Sequence, residues 1–384
     1  MLWILCGAGV RLSTPFDPKK VIDDLVEQIK DSLKLGPRNL VGIDIGFSAI
    51  KIVELKKSKK NSYELVRHSF VPLPEGALIE DEIQNAEQIT ETITRAYKAG
   101  KFSTPNVCMG LWGPNTIARR LQLAGGTTEE IEDQVIWEAE QYIPFDVEDS
   151  SISFHIIGEN EGGGVDVVVA AARKDVIDSF RDLITNAGLK VKIVDLIQIS
   201  LVNVFEAVAA EELALAERSS WVLLDIGAQK TEFLIYKNGM ISFAKQINIG
   251  GLMITEEIQR QMGVNYKEAE DLKITGDDKG NLPEEIVEII DAVIESFFGE
   301  LKKTLDFYIS STSDEAFTGC YITGGSSQIP GLLEGLEALL GFQVRLLNPM
   351  DAISYDEADY DEDELNDLIY RGVSVIGLAM RELN

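Results

Sequence analysis

Cysteine, histidine and positive charge are all scarce in this 384-residue chain. Its three cysteines, Cys6, Cys108 and Cys320, lie far apart and form no CxxC pair. That spacing excludes a disulfide scaffold and a cysteine-based zinc site, and it suits a reducing compartment. The two histidines, His68 and His155, each sit in an apolar, strand-like stretch and read as strand residues, not catalytic or metal-binding groups. Thirty-five basic residues face 64 acidic ones, a formal net charge of −29. So negative a surface repels phosphate backbones and argues against a nucleic-acid partner. It leaves a nucleotide pocket open, because backbone amides bind phosphate without a basic patch. No apolar run of about 18 residues occurs, so no transmembrane segment is expected. The stretch 1–10 is apolar but lacks a basic start, which fits a flexible extension better than a secretory signal.

What is present is ordinary globular composition, 45% hydrophobic and 26% charged. The length allows two or three domains, or one duplicated architecture. Val21, Ile22, Leu25, Val26, Ile29 and Leu33 recur at helical spacing. They predict an amphipathic helix that starts at Asp17-Pro18 and ends near Gly36-Pro37, within an N-terminal extension of residues 1–37. Strands are then expected over 40–45, 49–56 and 63–71, a helix over 81–99 and a strand over 106–112. A mixed region follows, with strands at 119–123, 151–157 and 165–172 and helices at 128–141 and 174–187. Gly162-Gly163-Gly164 reads as a hairpin tip. A strand at 189–195 and a helix from 200 to 216 complete this part. The acidic run 356–367 holds eight carboxylates in twelve residues and reads as a solvated loop. A final helix over 368–383 carries a small-residue face, Gly372, Ser374, Gly377 and Ala379, suited to close packing.

At Trp221 the pattern begins again. Trp221-Val-Leu-Leu-Asp225-Ile-Gly227 parallels Leu40-Val-Gly-Ile-Asp44-Ile-Gly46, 181 positions apart. In both copies an apolar strand ends in a carboxylate, and a glycine permits a tight turn into a second strand. Such a hairpin can wrap phosphate with backbone N–H groups while the carboxylate organises Mg²⁺ through water. Candidate residues in the first turn are Asp44, Gly46, Phe47, Ser48 and Lys51. In the second they are Asp225, Gly227, Ala228, Gln229, Lys230 and Thr231. A third element, the strand running into Gly324-Gly325-Ser326, lets a flat base or ribose lie against backbone. One DxG turn is a weak signal; two in duplicated α/β halves facing a cleft are a stronger one.

Asp44-x-Gly46, Asp225-x-Gly227 and Gly324-Gly325-Ser326, in this order, resemble the two phosphate motifs and the adenosine motif of the actin–Hsp70–sugar-kinase superfamily. Within it, Val41-Gly-Ile-Asp-Ile-Gly-Phe-Ser-Ala-Ile-Lys51, Glu140-Gln-Tyr-Ile-Pro144-Phe145, Glu268-Ala-Glu270-Asp-Leu-Lys273 and Gly377-Leu-Ala-Met-Arg381 resemble the FtsA-like PilM family of type IV pilus assembly. The resemblance covers roughly nine-tenths of the chain. It implies an actin-like (ribonuclease H-like) duplicated α/β fold that binds ATP and Mg²⁺. Subdomain 1A would comprise 38–115 and 190–217, with 368–384 returning to it. An inserted 1C would take 116–189, 2A would take 218–250 and 318–367, and 2B 251–317. Glu270 and Lys273 match the family's ribose and adenine contacts, and their spacing puts both on one helix face. Asp44, Asp195 and Asp225 are the implied metal-facing acids.

The same resemblance implies a cytoplasmic adaptor, attached to the inner membrane only through partners. Its 1A/1C groove would hold the cytoplasmic N-terminal tail of PilN, with Trp137, Tyr142, Ile143, Pro144 and Phe145 in the wall. The PilN–PilO–PilP complex and the pilus motor ATPases are the wider partners, and homo-oligomerisation is left open. Related ATPases carry an acid just past Asp195, where this chain has Ile197 and Gln198, so at most slow hydrolysis is expected. The alternatives are a small-molecule kinase, for which no convincing general base is visible, and an FtsA-like filament former. The latter carries a C-terminal amphipathic membrane helix, and the sequence printed ends at Asn384 without one.

Overall fold

The structure, a computed structural model, describes residues 40–58, 62–160, 162–215, 219–275, 282–312, 314 and 316–383. The helix expected before Gly36 lies outside them. The first half opens with an antiparallel meander of β1 (Val41–Ile45), β2 (Ala49–Lys57) and β3 (Tyr63–Pro72). A small hairpin of β4 (Leu78–Ile79) and β5 (Glu82–Ile83) follows. Helix α1 (Ala86–Gly100) comes next, capped by the Asn85 side chain. The helix expected from 81 therefore starts later, because residues 78–83 pair as strands too short to show a period. Strand β6 (Asn106–Leu111) then runs parallel to β1.

Between β6 and its neighbour sits an inserted body. It comprises β7 (Thr116–Leu123), α2 (Thr128–Tyr142), β8 (Ser150–Glu159) and β9 (Val165–Arg173), in strand order β7-β9-β8. Its central strand is buried on both faces. Val167 and Val169 pack with Leu121, Ile131 and Val135 under α2, while Val168, Ala170 and Ala172 join the main core. The next helix, α3 (Lys174–Asn186), sends Ile177, Phe180, Leu183 and Ile184 into that same main core.

Strand β10 (Lys190–Leu196) completes the first sheet beside β6 and leads into α4 (Ile197–Val208) and α5 (Ala210–Leu215). Helix α4 is apolar nearly all round because it lies between the two halves. Phe205 meets Trp221, Tyr236 and Tyr321 of the second sheet with ring centroids 5.7, 5.1 and 5.3 Å away.

The second half repeats the plan. Strands β11 (Ser220–Ile226), β12 (Thr231–Lys237) and β13 (Met240–Ile247) form a meander, and β14 (Gly319–Thr323) runs parallel to β11 with β15 (Val344–Leu346) outside it. The order β13-β12-β11-β14-β15 mirrors β3-β2-β1-β6-β10 of the first sheet. Helices α6 (Gly251–Met262), α7 (Tyr266–Thr275) and α8 (Glu284–Thr312) join β13 to β14, where the first half has β4, β5 and α1 between β3 and β6, and α9 (Leu332–Leu340) precedes β15.

The chain returns to the first half earlier than residue 368. Leu347 N–H still donates to the Ile322 carbonyl of β14 at 2.8 Å, but β16 (Ile353–Ser354) pairs with β3 at Tyr63 and Glu64. The acidic run is only partly loop. Asp361 caps α10 (Glu362–Arg371) in a reciprocal capping box with Glu364, and the helix's positive end accommodates the acids of its first turn. The expected final helix is two, α10 and α11 (Val373–Ala379), meeting at Gly372. The small-residue face does pack closely: a Cβ on Gly377 would lie 2.1 Å from the Ser200 carbonyl oxygen of α4. Among the described residues no helix is long and apolar enough to cross a membrane.

Candidate functional site

The two hairpins face one cleft. In the first, Gly46 N–H donates to the Ala49 carbonyl at 3.1 Å; in the second, Gly227 N–H donates to the Lys230 carbonyl at 2.9 Å. Gly46, Phe47 and Ser48 of the first turn and Gly227 and Ala228 of the second all line that cleft. Phe47 is braced by Trp112 at 4.5 Å between ring centroids, and the Trp112 indole N–H donates to the Ile45 carbonyl at 3.1 Å.

The carboxylates that end the two strands have different neighbours. Asp44 pairs across the ladder with Lys51, whose ammonium lies 2.9 Å from its Oδ2, and the same oxygen accepts from Ser374 Oγ of α11 at 2.8 Å. Asp225 pairs across its ladder with Glu232, another acid. Burial pushes Asp225 up to about 6, with Lys51 pulling it down and Asp44 pushing it further up. Burial pushes Glu232 up to about 7; hydrogen bonds from Gln246 and Gln198 oppose this, and Asp225 adds to it. Gln246 Nε2 donates to Glu232 Oε1 at 2.6 Å, and Gln198 Nε2, from the start of α4, donates to Oε2 at 3.1 Å.

Strand β14 brings the third motif against the second hairpin. Gly324 has φ +93°, and a Cβ there would lie 2.4 Å from the Ile226 carbonyl and 2.5 Å from Asp225 Oδ1, so only glycine fits. Ser326 Oγ donates to the Gly227 carbonyl at 2.9 Å, which also accepts from Gly251 N–H at 3.1 Å where α6 begins. On the neighbouring helix, Lys273 Nζ donates to Glu270 Oε2 at 2.7 Å, to Thr255 Oγ1 at 2.8 Å and to the Gly251 carbonyl at 3.2 Å.

Together these elements enclose a cleft of about 730 Å³, within the usual range for a small-molecule site. It gathers Asp44, Gly46, Phe47, Ser48, Lys51, Asp225, Gly227, Ala228, Lys230, Glu270, Lys273, Gly324, Gly325 and Ser326 from the residues expected on sequence. Three expectations fall outside it. Thr231 is buried and its hydroxyl donates to the Ile249 carbonyl at 2.8 Å. Gln229 points its side chain into protein, where Oε1 has no partner. Asp195, on β10, is paired with the buried Arg381 guanidinium and accepts the Leu196 N–H at 2.9 Å. It is not among the residues that line the cleft, and its carboxylate is taken by Arg381 where a metal-facing acid was expected. Glu232, Gln246, Tyr266, Arg371 and Ser374 line the cleft without having been singled out. Glu232 was legible as the residue opposite the DxG carboxylate; the others are brought in by tertiary contact.

Charge decides what the cleft can hold. Its four basic side chains are each held by a carboxylate: Lys51 by Asp44, Lys230 by Asp81, Lys273 by Glu270 and Arg371 by Asp367. Asp225 and Glu232 come on top of these pairs, so the cleft carries excess negative charge. Like charges opposite one another on a ladder are destabilising, and a cation beside them relieves that. Among the described residues, no group of three or more His, Cys, Asp or Glu side chains forms a ready metal cage. The donor set therefore suits a Mg²⁺ that arrives with phosphate and keeps part of its water shell.

A family model described as "Type IV pilus assembly protein PilM" matches residues 42–383. Among solved structures, the chain is similar to a PilM–PilN type IV pilus biogenesis complex, with 27% identity, 90% of this chain and 99% of that chain covered, and a TM-score of 0.78. It is also similar to the ethanolamine utilization protein EutJ of Carboxydothermus hydrogenoformans, at 14% identity, 94% and 98% coverage and a TM-score of 0.50. The cell division protein FtsA of Enterococcus hirae is 21% identical over 198 residues, 46% of this chain but only 43% of that protein's length. The fold is thus actin-like, and the chain belongs to the PilM family of type IV pilus assembly proteins.

Proposed function

We propose that this chain is an ATP-binding adaptor, in which a nucleotide held between the two hairpins sets the shape of a groove for the cytoplasmic tail of PilN. The observation that carries the nucleotide reading is the pair of matched hairpins whose turns line a single acidic cleft. The amides of Phe47 and Ser48 and of Ala228, beyond the turn-closing N–H groups of Gly46 and Gly227, would take phosphate oxygens, as oriented backbone N–H groups do without a basic patch. Glu270, Lys273 and Tyr266, with Gly325 and Ser326, would take the nucleoside end. Asp44, Asp225 and Glu232 would hold Mg²⁺, directly or through water; when bound, the ion neutralises both the phosphates and the acids. The excess of carboxylates makes free ATP a poor ligand and Mg-ATP the fitting one.

Gln198 and Gln246 fix Glu232 in place by donating to both of its oxygens. Gln198 stands where an acid would polarise a water in faster ATPases, and an amide removes no proton. Occupancy with slow turnover follows, as suits a switch read by a partner.

The adaptor reading rests on the inserted body. Its strand β7 packs against β13 of the second half, so it touches both sides of the cleft. Its helix α2 leaves Trp137 63% exposed, and Arg119 lies over the Tyr142 ring at 4.0 Å. A tail of PilN between this body and the first half would tie the protein to the inner membrane from the cytoplasmic side, with the PilN–PilO–PilP complex and motor ATPases beyond. The test has two steps. Thermal melting must rise with millimolar Mg-ATP but not with ATP plus chelator. A peptide of the PilN cytoplasmic tail must then bind saturably, with an affinity that changes with nucleotide; absence of either result defeats the corresponding half of the reading.

A further inference from the structure

We propose that Asp81 is a built-in competitor for Lys230: the phosphate of a bound nucleotide displaces its carboxylate, and the released turn passes occupancy to the chain leading into the inserted body. The proposal rests on the nucleotide-binding reading above and names its regulation. Lys230 sits on the tip of the second hairpin and lines the cleft, yet its ammonium is held by Asp81 of the first half, with both side chains nearly buried at 12% and 13% exposed. The other three basic side chains of the cleft are paired locally, within one hairpin or along one helix. Among the described residues, Lys230–Asp81 is the ion pair of the cleft that joins the two halves.

Asp81 is held in a costly way. It shares with Glu80 the two-residue turn between β4 and β5, and both have positive φ, +47° at Glu80 and +74° at Asp81. Such turns favour Asn and Gly, and a glutamate there is disfavoured. One carboxylate oxygen meets Lys230, while Oδ1 is buried with no hydrogen-bond partner. A buried, half-satisfied carboxylate on a strained turn depends on its one cation. A polyphosphate offers that cation more charge and leaves Asp81 free to reach water.

The release has somewhere to go. Asp81 packs on Gly113, where a Cβ would lie 3.3 Å from Oδ1 and φ is +98°. The Gly113 carbonyl accepts from Thr116 N–H at 3.1 Å and from Thr116 Oγ1 at 2.8 Å, so it fixes the first residue of β7. The carboxylate that loses Lys230 therefore lies against the turn that opens the inserted body.

The test is calorimetric titration of Mg-ATP into the full chain, wild type against Asp81→Asn, Lys230→Gln and the double variant. Asparagine keeps the size and tolerates positive φ; Asp81→Gly, which relaxes the turn, is the second variant should the first fold poorly. Glu80→Gln, exposed on the same turn, controls for overall charge. Asp81→Asn is expected to tighten Mg-ATP on the order of 5- to 50-fold. Lys230→Gln weakens it, the double variant resembles Lys230→Gln, and Glu80→Gln leaves it unchanged. In hydrogen exchange, residues 113–123 change protection when wild type binds nucleotide, and Asp81→Asn shows that change without it. Unchanged or weaker binding by both Asp81 variants overturns the proposal, as does tightening that persists without Lys230. If wild type binds no Mg-nucleotide at all, the nucleotide reading itself has failed and this proposal falls with it, a result distinct from the other two.

Discussion

The two halves share a strand order and differ in the residue that faces the strand-ending aspartate. In the first hairpin that residue is Lys51, and Asp44 is neutralised from both sides by its ammonium and by Ser374. In the second it is Glu232, and two acids stand opposite one another; the amides of Gln198 and Gln246 donate to Glu232, while Lys51 and Lys230 act on the pair only through space. A duplicated backbone has been given opposite electrostatic tasks. The first hairpin is self-contained, whereas the second is left short of a cation. An incoming Mg²⁺ is therefore drawn to the Asp225 side.

The largest effect should come from breaking the self-contained hairpin. Lys51→Met leaves Asp44, about 4% exposed, without its cation. Removing one partner of a buried pair costs about 3–5 kcal/mol, discounted here because Lys51 itself is 16% exposed at its side chain, to roughly 2–3 kcal/mol. Urea unfolding of the unliganded protein measures it. A loss under about 0.5 kcal/mol would mean that the first hairpin does not depend on the pair.

The matching change in the second half should run the other way. Glu232→Gln removes a charge that burial disfavours and keeps its shape, so the unliganded fold gains about 1 kcal/mol at pH 8 while Mg-ATP binding weakens at least tenfold. The pH dependence separates the two effects. Glu232 is raised to about 7 in the fold from 4.5, so between these values the folded state holds the extra proton and stability falls as pH rises. Asp225, raised to about 6 from 3.8, acts in the same direction over a lower window. Nucleotide binding needs the deprotonated acids and should strengthen from pH 6 to 8. The difference between wild type and Glu232→Gln in melts across that range isolates the contribution of Glu232; parallel curves would refute the assignment.

Sequence carried the parts of this architecture that local chemistry enforces. Asp44-x-Gly46 and Asp225-x-Gly227 announce tight hairpins; at Gly227 a Cβ would lie 2.9 Å from the Lys230 carbonyl oxygen, and Gly324 is legible because its positive φ and close packing admit only glycine. The inserted strands were visible from their alternation and their glycine tip, where Asn160 Oδ1 accepts from the N–H groups of Gly162 and Gly164 at 3.0 and 2.9 Å. What escaped was set by partners distant in sequence. Asp195 looked like a metal acid until Arg381, 186 positions on, took its carboxylate. Lys230 looked like a free phosphate donor, but Asp81 lies 149 positions before it. The short pair β4–β5 has no periodicity to read, and the two-residue strand Ile353–Ser354, which pairs with β3, is likewise too short to show one. Spacing cannot decide such competition; only packing does.

The smallest expected effect tests how far the last helix enforces the asymmetry. Ser374 reaches Asp44 from α11, and α11 is fixed against α4 at Gly377, where no side chain fits. Ser374→Ala removes one hydrogen bond to a carboxylate that still keeps Lys51, so the loss should be about 1 kcal/mol, less than for Lys51→Met. The two changes share one acceptor oxygen and should not add. With Lys51 already gone, Ser374 is the remaining donor to that oxygen, and its removal should then cost more than it does alone. A double-mutant cycle by urea unfolding reads this directly. A coupling near zero would show that Ser374 merely fills space beside Asp44, and that the first hairpin owes its neutrality to the lysine alone.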